Sequence, residues 1–445
     1  MPHVSYVPFT GFRVREEAMR ELGMTLPGLK RRADAIAQLP ALGLLTLAGL
    51  TPPNWTCSYH DADRSHEALA ETLADERPTL VAVSALTASI DEAYRFSDCL
   101  CRRDIRVVIG GLHTTACPEE AQRHCDAVVV GEGEPVWLDV LADAERGTLQ
   151  PLYKSRQPFD LAQSPLPRFD LLGDRPRPRL TVQTQRGCPL ACEFCGASRL
   201  LGPHRAKPVD NLRRELAAIT AMGPHPTLEL ADDNTFVDRP DAVELLAAFG
   251  EADARYFTEV DWRLGERPDL LAALAASGCV QVLIGIESLV IRCPGMGPKL
   301  AELSRVADAI GAIQDAGVAV IGCFIVGCDG ETQKSIDRLV RFVLDSELAD
   351  VQLTLQTPFP GTALYQRLRR QGRLLPERGW SYHTLFDVTY QPDAMTVPDL
   401  ELAFRGLVRE VFAPAPTARR EAIRRRVWHT NPRLRPWASE PSCGI

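Results

Sequence analysis

A chain of 445 residues, 45% hydrophobic and 24% charged, holds enough apolar material for two globular domains but no single run long enough to span a bilayer. The net charge is −8, yet residues 401–445 carry nine Arg against four Glu, a local +5 that leaves −13 on residues 1–400. Such an acidic body argues against nucleic acid as the main partner, and thirteen cysteines without a basic-then-apolar leader point to a reducing cytoplasm.

Residues 1–155 alternate strand and helix signals, the pattern of a doubly wound, Rossmann-like α/β domain. Leu80–Leu86 reads as a buried parallel strand, followed by a helix through Tyr94–Cys101. Arg106–Gly111 is the next strand and ends on two glycines, where a backbone can approach a ligand closely. Asp126–Val130 repeats the pattern, running into Gly131-Glu132-Gly133-Glu134 and a helix from Pro135. Residues 156–179 are proline-rich and read as an extended linker. Residues 180–397 then contain six strand candidates: Leu180–Gln185, Thr227–Leu230, Arg255–Val260, Gln281–Ile286, Val318–Val326 and Val351–Thr357. Helical periodicity fills the gaps, as in Leu212–Ala221 and Leu300–Ala316. Six βα units are too few for a closed eight-stranded barrel and predict a partial (β/α)6 barrel, with its site at the carboxyl ends of the strands. Residues 398–445 read as a helical segment and an irregular tail, with Arg424-Arg425-Arg426 as a solvated helix face.

The most informative segment follows the first barrel strand: Cys188, Cys192 and Cys195, spaced C-x3-C-x2-C in Arg186-Gly-Cys-Pro-Leu-Ala-Cys-Glu-Phe-Cys195. Three thiolates are one short of the four that normally hold a [4Fe–4S] cluster, so one iron would stay open to a further ligand. A zinc site would need a fourth Cys or His, and the nearest candidate is His204. The remaining cysteines read as packing: Cys323 and Cys328 in and just after a core strand, Cys279 and Cys293 without a spaced partner, Cys99 and Cys101 on a helix. No second cluster is expected.

The triplet in its strand-loop context resembles the radical S-adenosylmethionine (SAM) superfamily. Further segments resemble the branch of that superfamily with an N-terminal cobalamin-binding-like domain: Gly110–Glu120 and Val129–Glu134 in front, and Ala231-Asp-Asp-Asn-Thr235, Gly285-Ile-Glu-Ser288, Phe324-Ile-Val-Gly327 and Pro358-Phe-Pro-Gly-Thr362 behind. The resemblance implies a [4Fe–4S] cluster on Cys188, Cys192 and Cys195 that cleaves SAM reductively to a 5′-deoxyadenosyl radical. It also implies that Glu287, with Ser288, meets the SAM ribose, that Asp232 or Asp233 meets the methionine ammonium, that Phe194 packs over cluster and adenine, and that Ile325, Val326 and Gly327 line the adenine. Arg186 is either a cation tuning the cluster or an electrostatic anchor for the loop.

The Asp-x-His-x-x-Gly pattern that would ligate cobalt is absent, the nearest stretch being Ser58–His66, so cobalamin is possible but not favoured as a cofactor. The compact length and the unusual Gly285–Lys299 segment resemble the diol dehydratase/deoxygenase enzymes of aminoglycoside pathways, such as those acting on paromamine. The expected reaction is therefore radical dehydration of a vicinal diol on an aminosugar, with a cobalamin-dependent C-methyltransferase as the alternative and a non-enzymatic iron–sulfur regulator as a distant one. Glu259 and Asp261 at the end of the third barrel strand fall on one face by alternation and are the candidate base and acid. Expected partners are a small-molecule substrate, an electron donor of the flavodoxin or ferredoxin type and, since no G-x-G-x-x-G is present, a separate NAD(P)H-dependent reductase.

Overall fold

The computed structural model of the protein describes every residue except 12, 38, 61–65, 174–176, 290–301 and 439–445. Cys293, most of the Gly285–Lys299 segment and the middle of Ser58–His66 lie outside the described residues.

Two six-stranded parallel sheets organise the chain. The front sheet contains β1 (His3–Phe9), β2 (Thr56–Tyr59), β3 (Leu80–Ala85), β4 (Val107–Gly110), β5 (Ala127–Val130) and β6 (Leu152–Lys154), in the order β2-β1-β3-β4-β5-β6. Strand alternation supplies two cores. Leu80 and Ala82 of β3 pack with Leu44 and Trp137 on one face, while Val81 and Val83 pack with Phe96 and Leu100 on the other. Central β1 carries Pro8, a residue that normally demotes a strand. It is tolerated because Phe9 faces β3, accepting from the Leu86 N–H, so the missing Pro8 donor falls on the β2 side, where pairing stops at Tyr6.

The stretch read as an extended linker is packed instead. Phe159, Leu161, Phe169 and Leu172 are buried, and Phe169 and Leu172 belong to the core of the second domain. That domain opens with β7 (Leu180–Val182) and a two-stranded antiparallel hairpin, β8 (Gln185–Arg186) with β9 (Arg205–Ala206). It continues with β10 (Thr227–Leu230), β11 (Arg255–Val260), β12 (Cys279–Glu287), β13 (Ala319–Val326) and β14 (Asp350–Leu355). The sheet order β7-β10-β11-β12-β13-β14 is strictly sequential, as in an open partial barrel. One face, carrying Leu228, Tyr256, Val282, Val320 and Val351, joins the helices in a single large core.

The other face is the barrel interior, and its amino-terminal end is closed by the C-terminal helices. Ile423, Val427 and Trp428 of helix Pro414–Thr430 pack on Phe257, Val280, Ala319 and Ala349. The Trp428 indole donates to the Val280 carbonyl at 2.7 Å and stacks on Trp437. The arginine triplet is therefore not a uniform solvated face: Arg425 and Arg426 are exposed, but Arg424 turns inward over Trp428 and toward Asp350. No helix among the described residues is long and apolar enough to cross a membrane.

Candidate active site

The three cysteines sit on the loop between β8 and β9. Gly187 opens that loop at φ +78°, and an added Cβ would lie 2.9 Å from the Gly202 carbonyl and 3.0 Å from that of Pro203, so the narrow closure requires glycine. Cys192 is buried and Cys188 and Cys195 half-buried, in one cluster with Leu190, Phe194, Ile325 and Cys328. His204 is not gathered with them: among the described residues no set of three or more His, Cys, Asp and Glu is placed to hold one metal ion.

Two ion-pair clamps hold the loop. On the front side Arg186 donates to Glu132 at 2.5 Å and to Glu134 at 2.7 Å, while Arg205 donates to Glu132 at 3.0 Å. Arg186 is thus the anchor of the loop. Burial would push the Glu132 carboxyl up, but hydrogen bonds from Arg205, the Phe159 N–H and Arg186 outweigh it and hold it below the ordinary carboxylate range. On the back side Arg367 makes a bidentate contact with Glu193, between Cys192 and Phe194, and also pairs with Asp329 in the loop after β13. Arg373 completes the network on Asp329 at 2.6 Å. Sequence reasoning missed this back clamp because Glu193 and Arg367 are 174 residues apart and leave no local spacing signal.

Asp232 and Asp233 separate cleanly. Asp232 is 3% exposed and accepts from the Thr184 and Gln185 N–H groups at 2.8 and 3.1 Å and from the Thr184 and Thr235 hydroxyls. Its carboxylate is consumed in tying β10 to the strand that launches the cysteine loop. Asp233 instead lines a cavity shared with Cys195, and burial, reinforced by the neighbouring Asp232, pushes its carboxyl up to about 6. Glu287 is buried at φ +63°, at a register shift that ends the β12–β13 pairing. A left-handed, β-bulged carboxylate at a strand's carboxyl end is strained backbone of the kind kept where geometry matters. Ser288 is half-buried beside it, its N–H turned back onto the Ile286 carbonyl at 2.8 Å. Ile325 lies half-buried against the thiols, Val326 is in the core, and Gly327 has φ +97° with Tyr390 packed where a Cβ would stand.

Glu259 and Asp261 line different cavities. β11 ends at Val260, so alternation stops before Asp261. Asp261 caps the next turn, accepting from the Arg263 N–H at 3.0 Å and pairing with its guanidinium at 2.7 Å. Glu259 faces a charged chamber of about 220 Å³ inside the barrel, with Arg179, Glu229, Asp350 and Arg420.

Two cavities lie along the carboxyl edge of the front sheet. One, of about 300 Å³, is walled by Ser84, Gly110, Gly111 and the Gly131–Glu134 turn. The other, of about 520 Å³, opens at the β1/β3 switch point beside Gly11, Leu86 and Thr87, and reaches Cys195, Asp233 and Phe359 across the domain boundary. Leu112, Leu200 and Leu201 line both.

Residues 32–141 match the B12 binding domain family and residues 182–343 the radical SAM superfamily. The chain thus carries a B12-binding domain followed by a radical SAM domain. The chain is 28% identical over 351 residues to an uncharacterized methyltransferase of Synechocystis, across 76% of this chain and 64% of that one. It is 25% identical to bacteriochlorophyllide d C-12(1)-methyltransferase of Chlorobaculum tepidum, over 85% and 84% of the two chains. Hopanoid C-2 methylase of Rhodopseudomonas palustris is also 25% identical, over 77% and 66%. Among solved structures, the radical SAM methyltransferase TsrM of Kitasatospora setae shares the fold at TM-score 0.65 and 15% identity, over 83% and 76% of the chains. The cobalamin-dependent radical SAM enzyme OxsB superposes at TM-score 0.61 and 14% identity, over 79% and 53%. The protein thus spans less than two thirds of the first of these relatives. The expectation that set cobalamin aside rested on the missing His motif, and the B12 binding domain match weighs against it.

Proposed function

We propose that this protein is a cobalamin-dependent radical SAM C-methyltransferase acting on a small molecule. The observation that carries the reading is the pair of adjoining cavities on the front sheet's carboxyl edge, one running from the glycine-lined strand ends and the other reaching the cysteine loop. The names of the methyltransferase relatives lend weight to it. The Gly110-Gly111 and Gly131–Gly133 walls suit a nucleotide tail, because backbone without Cβ atoms can approach it, and the switch-point cavity suits a corrin face. Among the described residues no histidine lines the glycine-walled cavity, whereas His383 lines the switch-point cavity.

Cys188, Cys192 and Cys195 would hold the cluster, and the donor set fits, since three soft thiols converge in an apolar pocket. With its groups bound, the cluster would supply the electron that cleaves SAM and cobalamin would carry the methyl group. Asp233 would accept from the methionine ammonium and Glu287, with Ser288, from the ribose hydroxyls. Phe194, Ile325, Val326 and Gly327 would enclose cluster and adenine. An external flavodoxin- or ferredoxin-type donor would supply electrons. A nicotinamide-dependent reductase, needed to complete a deoxygenation, has no place in methylation.

Radical dehydration loses its candidate base-and-acid pair, because Glu259 and Asp261 face different surroundings. The test is to mix the reconstituted protein with hydroxocobalamin, desalt it and record the visible spectrum. Stoichiometric retention is expected, and its absence would overturn the reading. Product mass separates the reactions: a gain of one CH2 for methylation, a loss of one H2O for dehydration. Formation of 5′-deoxyadenosine by the reduced protein separates both from a regulator.

A further inference from the structure

The turn that walls the front cavity is the same turn that grips the cysteine loop. Gly131-Glu132-Gly133 lines the cavity, and Glu132 accepts from Arg186 on one strand of the hairpin and from both Arg205 nitrogens on the other. Glu132 also accepts from the Phe159 N–H at 2.7 Å. The side chains of Glu132, Arg186 and Arg205 are only 11–17% exposed, so these pairs are poorly screened. Arg186 immediately precedes Gly187 and Cys188, and Arg205 returns the chain through the Leu201 and Pro203 carbonyls.

The loop's own hairpin has a ladder of just two residue pairs, Gln185 with Ala206 and Arg186 with Arg205. So short a ladder cannot fix an eighteen-residue loop (187–204) by itself, because an isolated hairpin is marginal in water. At the base of the hairpin Arg239 donates to the Thr184 and Lys207 carbonyls, and next to the cysteine loop one front-domain carboxylate, Glu132, ties Arg186 and Arg205 together.

We infer that Glu132 is a positioning residue that couples the front cavity to the cysteine loop, so that a corrinoid seated against the Gly131–Gly133 turn slows loss of the iron–sulfur cluster. At equilibrium such coupling is reciprocal: whatever the corrinoid adds to the free energy of cluster binding, the cluster adds to that of corrinoid binding. The inference rests on the proposal that the front cavity takes cobalamin, and the experiment keeps the two apart.

The anaerobically reconstituted full chain is challenged with the iron chelator bathophenanthroline, and iron release is followed with and without hydroxocobalamin. Cobalamin is expected to slow release by about fivefold or more, the lower end of ordinary coupling between sites. In Glu132→Gln release is faster and no longer responds to cobalamin. Glu132→Asp, which keeps the charge, restores part of the response, and Glu134→Gln, which leaves Arg205 held, keeps most of it. These last two also cover a Glu132→Gln protein that fails to fold. If the natural protein retains cobalamin but releases iron at the same rate with and without it, the coupling is overturned and the methyltransferase reading stands. A Glu132→Gln response equal to that of the natural protein overturns it too. If cobalamin is not retained at all, both fall.

Discussion

The two sheets have the same number of parallel strands but are covered in opposite ways. The front sheet reverses direction between β1 and β3, so helices fall on both faces and two separate cores sandwich it. The back sheet never reverses, so its helices cover one face only, and its other face must be closed from outside. The front domain closes the carboxyl end and the C-terminal helices plug the amino end. A self-covered sheet offers ligands its edge; a half-covered sheet offers its interior. The cysteine loop lies where edge meets interior, with one clamp from each domain.

The sharpest way to break that division is at the thiols. Cys192→Ala removes the buried thiol of the three, and we expect loss of the cluster's visible absorption and of 5′-deoxyadenosine formation to background. The front sheet should still retain hydroxocobalamin after desalting, weakened by no more than the coupling. Loss of cobalamin together with the fold would mean that the domains are not independently covered. The next largest effect is expected from Trp428→Ala, which opens the plug at the amino end. Removing a fully buried indole, together with its bond to Val280, should cost about 3–5 kcal/mol. In urea denaturation the back domain's transition should move while the front domain's stays, and a single shifted transition would show that the two are one cooperative unit.

How much of this was legible in the sequence follows the same division. The back strands are readable because each is a short run between stretches of helical periodicity, and Thr227–Leu230 and Arg255–Val260 end where they were expected to end. β1 was not, because Pro8 and the neighbouring polar residues hide a central strand. Cys188, Cys192 and Cys195 stand out because a multinuclear cluster imposes short local spacing. The clamps do not, because Arg205–Glu132 and Arg367–Glu193 join residues 73 and 174 positions apart. Asp261 misled for a local reason: strand alternation was extended one residue past the strand's end. Cys328 read as mere core, and only the fold places it beside Cys192.

A smaller effect tests the interior site at Glu287. If its carboxylate accepts from the ribose hydroxyls, Glu287→Gln should weaken SAM binding by about tenfold, the lower part of the range for a charge-assisted hydrogen bond. Glu287→Gly should weaken it at least as much while stabilising the protein by about 1 kcal/mol, because glycine relieves the strain at φ +63°. Equilibrium dialysis with labelled SAM and thermal unfolding read the two effects separately. A glycine variant that loses stability would show that the side chain's contacts outweigh the backbone strain and that Glu287 is held for structure.

The most specific effect is at Asp233. Its carboxyl is raised from 3.8 to about 6, by burial first and by Asp232 second. The folded protein therefore holds that proton more tightly than the unfolded chain. The site is least costly below pH 4, and its cost grows as pH rises from about 4 to about 6, then stays constant. Asp233→Asn should accordingly stabilise the SAM-free protein at pH 7, by about 1–2 kcal/mol after allowance for partial exposure. SAM binding should behave in the opposite sense. Only the ionised carboxylate attracts the methionine ammonium, so affinity should fall about tenfold per pH unit below 6, and the Asn variant should bind weakly with a flat profile. A purely structural aspartate would show the stability gain without the binding loss. Opposite signs at one residue are what a carboxylate held ready for a cation requires, and the titration of SAM affinity between pH 5 and 8 reads them directly.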